Sequence, residues 1–297
     1  MELEQQARYH AMGNSYWWLV GKYDIIMDAI ARVVPAERRL AVLDTGCGPG
    51  NLLDRLSAHG PVTGSDVSLD ALRFCRSRGY QQLLCSQLDH AALRSETFDL
   101  VAAIDVLEHM PNDLAGLREI HRVLRPGGYV VLTVPAFQVL WGEHDELFGH
   151  YRRYRAAQVR ALLQATQFEL CTLSYFQPLY FLPLLLFRRW KRWWRGSARG
   201  HLLEAHDDFI TLAPWLNRLL TRLLAAEKYV LRQGTFPFGT TLLGIGRKAG
   251  GATTGVRPLL CVKRAGSAKR SLWFGGCSRR HARMVPGVRE RSRHGRT

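Results

Sequence analysis

Val42-Leu43-Asp44-Thr45-Gly46-Cys47-Gly48-Pro49-Gly50 decides how this chain is read. The run Arg39–Thr45 is short, apolar and stopped by glycines, the pattern of a buried strand. Asn51–His59 follows with helical spacing. In the turn between them, glycines allow positive φ and a close approach of backbone to a ligand. The helix start presents free N–H groups to an anion. A second strand, Pro61–Ser65, leads into Asp66, and an acid at that place can accept both hydroxyls of a ribose.

Two cofactors suit such a strand–turn–helix unit. A dinucleotide site wants G-x-G-x-x-G, so that the helix start meets a pyrophosphate. Here the spacing is G-x-G-x-G, and Asp44 stands just before it. An acid there repels a pyrophosphate but attracts an amino group. S-adenosylmethionine (SAM) has a ribose, an amine and no phosphate, so these residues favour SAM over NAD.

Working outward, Trp17–Ile30 is an amphipathic helix ending near Pro35, and Ser68 caps a helix running to about Arg78. Tyr80–Cys85 is a third strand, Phe98–Ile104 a fourth and Tyr129–Val134 a fifth. Asn112 caps the helix between the last two, which Pro126-Gly127-Gly128 closes. The strands are continuously apolar and alternate with helices, which argues for a parallel sheet covered on both faces. Trp141–Tyr154 reads as a polar, aromatic loop, Arg155–Gln167 as a helix and Phe168–Phe176 as a sixth strand. Residues 178–200 form an inserted segment rich in Pro, Leu, Trp and Arg. Pro214–Arg232 is an amphipathic helix whose leucines, 216, 219, 220, 223 and 224, suit a core, and Thr240–Arg247 closes as a strand.

These motifs resemble the class I SAM-dependent methyltransferases, in their ubiquinone/menaquinone-methyltransferase-like branch. Three stretches carry the resemblance: VLDTGCGPG; Phe98-Asp99-Leu100-Val101 with Asp105-Val106-Leu107-Glu108-His109; and Leu124-Arg125-Pro126-Gly127-Gly128. It implies a Rossmann-like, doubly wound α/β fold. Its seven-stranded sheet is mostly parallel with an antiparallel last strand, and helices cover both faces. It implies SAM as cofactor, with Asp44, Gly46, Cys47, Gly48 and Gly50 around the methionine part, Asp66 on the ribose, Val67 on the adenine and Asp105 beside the sulfonium. The family's acid near the adenine amine is absent. Gln87 or Asp89 stands in that stretch, and Gln87 is taken as the candidate. The implied domains are a helical cap at 1–38, the methyltransferase domain at 39–248 and a basic tail at 249–297, expected to be disordered.

Further segments look like a subgroup: Tyr16-Trp17-Trp18, and Trp141-Gly142-Glu143-His144-Asp145 followed by Gly149-His150-Tyr151-Arg152-Arg153-Tyr154. The segment after the fifth strand should overhang the carboxyl ends of the strands, where ligands bind in such sheets. His144 or His150 is the candidate general base, since imidazole titrates near neutrality. Tyr151 and Arg152 are candidate substrate contacts, and Trp17 and Trp18 read either as core or as a substrate lid. Glu108 and His109 read as a structural bridge, and Asp113 and Glu119 as solvated helix charges.

The formal charge of +16 is localised. From Arg247 onward there are 14 Lys/Arg and one acid, against 27 and 24 in residues 1–246. There is no Asn-Pro-Pro-Tyr-type turn after the fourth strand and no Pro-Cys nucleophile, which argues against a nucleic-acid substrate. No C-x-x-C occurs, so no metal is expected. Scattered cysteines and an N-terminus without an apolar h-region suit a cytoplasmic protein with reduced thiols. The expected acceptor is a small molecule or a lipid- or glycan-linked one. Leu179–Phe187 followed by Arg188-Arg189-Trp190-Lys191-Arg192-Trp193-Trp194-Arg195 suits peripheral contact with the inner face of a membrane. A nucleotide-fold oxidoreductase and a non-catalytic SAM-binding protein are the alternatives.

Overall fold

A computed structural model describes residues 3–34, 39–195 and 212–250. The N-terminus contributes two helices, α1 (Leu3–Ser15) and α2 (Trp17–Val33). Next come β1 (Val42–Thr45), α3 (Asn51–Leu56), β2 (Val62–Asp66), α4 (Leu69–Ser77), β3 (Leu83–Cys85) and β4 (Phe98–Ile104). Then follow α5 (Asp113–Val123), β5 (Leu124–Pro135), α6 (Glu143–Leu147), α7 (Ala156–Ala165) and β6 (Phe168–Phe176). α8 (Pro178–Arg195), α9 (Pro214–Gln233) and β7 (Thr241–Lys248) complete the order. The predicted caps are present: the Ser68 and Asn112 side chains accept the N–H groups of Ala71 and Ala115.

The sheet order is β3-β2-β1-β4-β5-β7-β6. β1 to β5 pair in parallel, and β7 runs antiparallel between β5 and β6. This is the Rossmann-like arrangement expected, and it includes the antiparallel last strand. After β3 the chain returns to the far side of β1, so the winding reverses between β1 and β4. A crevice at the carboxyl ends of strands is the usual ligand site at such a reversal.

Both faces of the sheet are buried, because successive side chains point to opposite sides. Leu43, Val101, Val130 and Leu132 pack with Leu117 and Ile120 of α5 and Leu163 of α7. Their neighbours Val42, Leu100 and Val131 pack with Ile25, Ile26 and Ile30 of α2 and with Leu224 and Leu231 of α9. The residues α2 and α9 bury thus cover the face opposite α5 and α7.

Three expectations are corrected, and the inserted segment gains a defined structure. The 141–154 stretch is not all loop: α6 lies within it. The segment beginning at 178 is helical through Arg195, despite Pro183. Of the α9 leucines assigned to the core, Leu224 is buried, but Leu219 and Leu223 are 46% and 45% exposed. Asp113 is buried rather than solvated. The tail expected beyond 249 and the 196–200 end of the inserted segment lie outside the described residues, apart from 249 and 250.

Candidate active site

The turn after β1 holds Gly46, Gly48 and Gly50 at φ +68°, +51° and +83°. A Cβ on Gly46 would stand 2.6 Å from Val106 Cγ2, so no larger residue fits there. Around Gly48 nothing lies within 4 Å of that position, which leaves the backbone open on the crevice side. Cys47 is buried beside Cys75, and both thiols donate to the Gly48 carbonyl, at 3.7 and 3.3 Å. Asp66 is clamped by backbone: Oδ2 accepts the Gly48 N–H and Oδ1 the Ser68 N–H, both at 2.8 Å. Each carboxylate oxygen keeps a further lone pair for a hydroxyl.

Asp44 is 2% exposed, and among the described residues its Oδ2 has no hydrogen-bond partner. Burial, then the nearby charges of Asp66 and Cys75, push its pKa well above the carboxylate range. An unpaired buried carboxylate costs stability unless a ligand supplies the partner. A cationic amine answers that need, and the clamped Asp66 answers a ribose. The residues present therefore fit SAM. Val67 is 66% exposed at the rim. Gln87 is exposed too, whereas Ser86 Oγ and Asp89 Oδ1 beside it are buried with no hydrogen-bond partner among the described residues. Of the two candidates near the adenine, Asp89 is thus the one turned inward.

At the end of β4, Asp105 sits at φ +53°, a conformation uncommon outside glycine. Its carboxylate takes a salt bridge from Lys22 of α2 and, at 2.8 Å, the hydroxyl of Thr133 on β5. Burial opposes ionisation, but the Lys22 charge and these hydrogen bonds hold the Asp105 pKa below its usual value. Lys22 is 2% exposed, with its ammonium 5.5 Å from the centre of the Trp18 ring. Sequence reasoning missed Lys22, because a single lysine in an amphipathic helix reads as a solvated charge.

The 142–153 segment is organised by Asp145, which is fully buried. Its Oδ1 takes His150 Nδ1 and Arg153 Nε, both at 2.8 Å. Its Oδ2 takes the Gly142 N–H at 2.8 Å and Arg188 of α8 at 3.4 Å. Burial raises the Asp145 pKa, but the His150 and Arg153 hydrogen bonds outweigh it and hold the group well below the carboxylate range. The Asp145 carboxylate can accept a proton-bearing His150 Nδ1, the arrangement that leaves Nε2 as the acceptor in a neutral ring. His150 also lies within electrostatic reach of Asp105.

The His109 ring meets His150 edge-on at 4.6 Å. Glu108, fully buried, has no hydrogen-bond partner on either carboxylate oxygen among the described residues. Burial and the Asp105 charge raise its pKa well above normal. Glu108, His109 and His150 each present a donor atom within 4.8 Å of the others, a set able to hold a divalent cation. No sequence spacing reveals it, because His150 arrives from a separate segment.

The remaining candidates are dispersed. His144 packs on Phe148 at 4.4 Å, and its ring lies 6.1 Å from that of His150. Tyr151 is 57% exposed, and its N–H donates to the Glu108 carbonyl. Arg152 bonds Asp113 at 3.1 Å and the Pro111 carbonyl at 2.7 Å, which ties the segment to the start of α5. Tyr154 adds a 2.9 Å bond to Asp113. Trp17 is core, edge-on to Tyr180 at 5.7 Å, while Trp18 flanks Lys22.

A family model described as a methyltransferase domain matches residues 43–132. A ubiquinone biosynthesis O-methyltransferase of Aeromonas salmonicida is 27% identical over 149 residues, 45% of this chain and 62% of that protein. One of Vibrio parahaemolyticus is 33% identical over 140 residues, 42% and 60%. The match thus spans about three fifths of these relatives' length. Among solved structures, a chain from the complex between a Haloferax volcanii methyltransferase activator and the putative methyltransferase superposes with TM-score 0.53. That likeness is 18% identical and covers 84% of this chain and 97% of the other. The [4+2]-cyclase SpnF reaches 0.50 at 22% identity, covering 77% and 81%. At such identities the structures show the fold alone, and a cyclase among them underlines that fold does not settle chemistry. Residues 43–132 therefore carry a domain of the SAM-dependent methyltransferase type, distantly similar to the ubiquinone biosynthesis O-methyltransferases.

Proposed function

We propose that this chain transfers a methyl group from SAM to a hydroxyl of a small-molecule or lipid- or glycan-linked acceptor, with His150 as general base. The observation that carries this reading is the Asp145–His150 pair, positioned beside Asp105. Asp44 would bind the amine of SAM, the Gly46–Gly50 turn its methionine chain, Asp66 its ribose, Val67 and Asp89 its adenine, and Asp105 would flank the sulfonium. When bound, SAM supplies a methyl group already activated on a positive sulfur, so little covalent chemistry falls to the protein.

The protein's part is orientation and one proton. Placing acceptor and donor together turns a bimolecular step into an intramolecular one. His150 Nε2 would take the acceptor's hydroxyl proton as that oxygen bonds to the methyl carbon, whose bond to sulfur breaks with its electron pair going to sulfur, leaving S-adenosylhomocysteine as the neutral thioether. Asp145 keeps the imidazole in the accepting tautomer and stabilises the imidazolium that results. Arg153 and Arg188 hold Asp145 ionised.

The test is methyl transfer from radiolabelled SAM to a catechol, a free sugar and a polyprenyl-phosphate sugar. His150→Gln should lower kcat by about 10²–10⁴, the usual worth of a general base, with SAM affinity unchanged. Turnover unaffected by the substitution removes His150 from the chemistry. SAM binding without turnover on any acceptor favours a non-catalytic role.

A further inference from the structure

Two helices turn apolar side chains outward. On α8, Leu179, Leu182, Leu186 and Trp190 are 68, 57, 58 and 50% exposed. Spaced three and four residues apart, they form one stripe. The other side of α8 faces inward, where Phe181 meets Phe137 and Phe238, and Arg188 reaches Asp145. On α9, Trp215, Leu219 and Leu223 recur every fourth residue at 64, 46 and 45% exposure, while Leu224 and Leu231 pack into the core. The helices start on either side of one residue. Tyr180 packs edge-on to the Trp17 ring, and Asn217 accepts the Trp17 N–H at 3.0 Å.

The described charges on these faces are basic, and residues 178–195 contain no acid. On α8, Arg189 is exposed. Arg218 and Arg222 are exposed beside the α9 stripe, whereas Glu227 of α9 is buried. Exposed apolar stripes such as these can mark an interaction face. Apolar stripes that each include a Trp, flanked by exposed Arg, match the boundary of an anionic bilayer: the apolar groups enter the acyl border and the cations meet headgroups. No helix among the described residues is long and apolar enough to cross a membrane.

We propose that the outer faces of α8 and α9 form a docking surface for an anionic lipid bilayer, on which the protein lies without crossing. This goes beyond methyl transfer and does not depend on it. If the proposed reaction also holds, the Arg188 link to Asp145 sets the docked face against the candidate site, which suits an acceptor carried by the lipid phase.

The test is flotation of the full chain with phosphatidylcholine vesicles, with and without phosphatidylglycerol. We expect binding to the anionic vesicles alone, falling with salt as the charges are screened. Substituting Leu182→Ser, Leu186→Ser and Trp215→Ser together leaves the net charge unchanged, including the basic C-terminal stretch. It should weaken binding at least tenfold, with SAM binding and the thermal midpoint as controls of folding. Flotation equal to wild type overturns the proposal and assigns attraction to the basic stretch. Absence of wild-type flotation at low salt also overturns it, as does a dimer in solution or a nucleic-acid complex that the triple variant abolishes while vesicles bind neither form. Should the triple variant fail to fold, quenching of wild-type tryptophan fluorescence by brominated phosphatidylglycerol decides: quenching is expected, and none overturns the proposal.

Discussion

Lys22 and Asp105, 83 residues apart, form a salt bridge that joins the N-terminal helix α2 to the end of β4. The lysine is almost wholly buried and the aspartate lies in the left-handed backbone region. The helical cap is thus electrostatically part of the crevice.

Lys22→Met should therefore destabilise the fold. Removing one partner of a fully buried pair costs about 3–5 kcal/mol. The Asp105 side chain is 36% exposed, so solvent screening reduces the expected loss to about 2 kcal/mol. Lys22→Met combined with Asp105→Asn should lose less than the sum of the single changes, because no orphan charge remains. Urea denaturation of the four proteins checks this, and additive losses would show that the pair is uncoupled.

Asp44 predicts a proton signature. A pKa raised by burial means that the group retains its proton at a higher pH than a free carboxylate. Pairing with an amine favours the ionised form, so SAM binding should release a proton and tighten as pH rises. Calorimetry in Tris and in phosphate, whose ionisation enthalpies differ, measures the release. Asp44→Asn should abolish it and weaken SAM by about tenfold to a hundredfold, equivalent to a charged hydrogen bond of about 1.5–3 kcal/mol. Equal enthalpies in both buffers would contradict this.

Glu227 governs stability near neutrality. It is 6% exposed on α9, and burial pushes its pKa up to about 7 despite the 2.7 Å bond from Gln177 N–H. The folded state keeps this proton up to about pH 7, whereas the unfolded chain sheds it near pH 4.5. Stability should then decline as pH rises from about 4.5 to 7 and level off above, by at most about 3 kcal/mol. Glu227→Gln removes the titration but keeps an acceptor for Gln177. Its advantage over wild type should grow from pH 5 to pH 8 in thermal melts, and a constant difference would refute the assignment.

Gly46→Ala combines an unfavourable φ of +68° with a Cβ 2.6 Å from Val106 Cγ2. The left-handed conformation alone costs about 1–2 kcal/mol. Pairing the change with Val106→Ala removes the clash but not the φ penalty. Thermal midpoints should recover partly in the double variant; full recovery would show that φ is not strained.

Much of this architecture is legible from local pattern. Parallel strands such as Phe98–Ile104 lie buried on both faces and advertise themselves as unbroken apolar runs. The glycine turn and Asp66 are legible because a backbone conformation and a ribose-binding acid constrain residue type at fixed spacing. What escaped depends on distant chain segments. α1 is weakly amphipathic and polar, so its pattern is faint. Asp113 looks solvated on a polar helix face until Arg152 and Tyr154 fold over it. Glu108 reads as a structural bridge, a reading that does not reveal its full burial with neither oxygen hydrogen-bonded among the described residues. The outward leucines of α9 cannot be told from core by helical spacing, since either face of a two-sided apolar helix satisfies the same period.

One carboxylate holds both His150 of the candidate site and Arg188 of the outer helix α8. Asp145 thereby acts as a shared pivot, and any displacement of α8 that alters the Arg188 contact alters the field on the imidazole. The ring protons of His150 become an internal spectroscopic probe of what happens at the far face of α8, readable by NMR without a label on that helix.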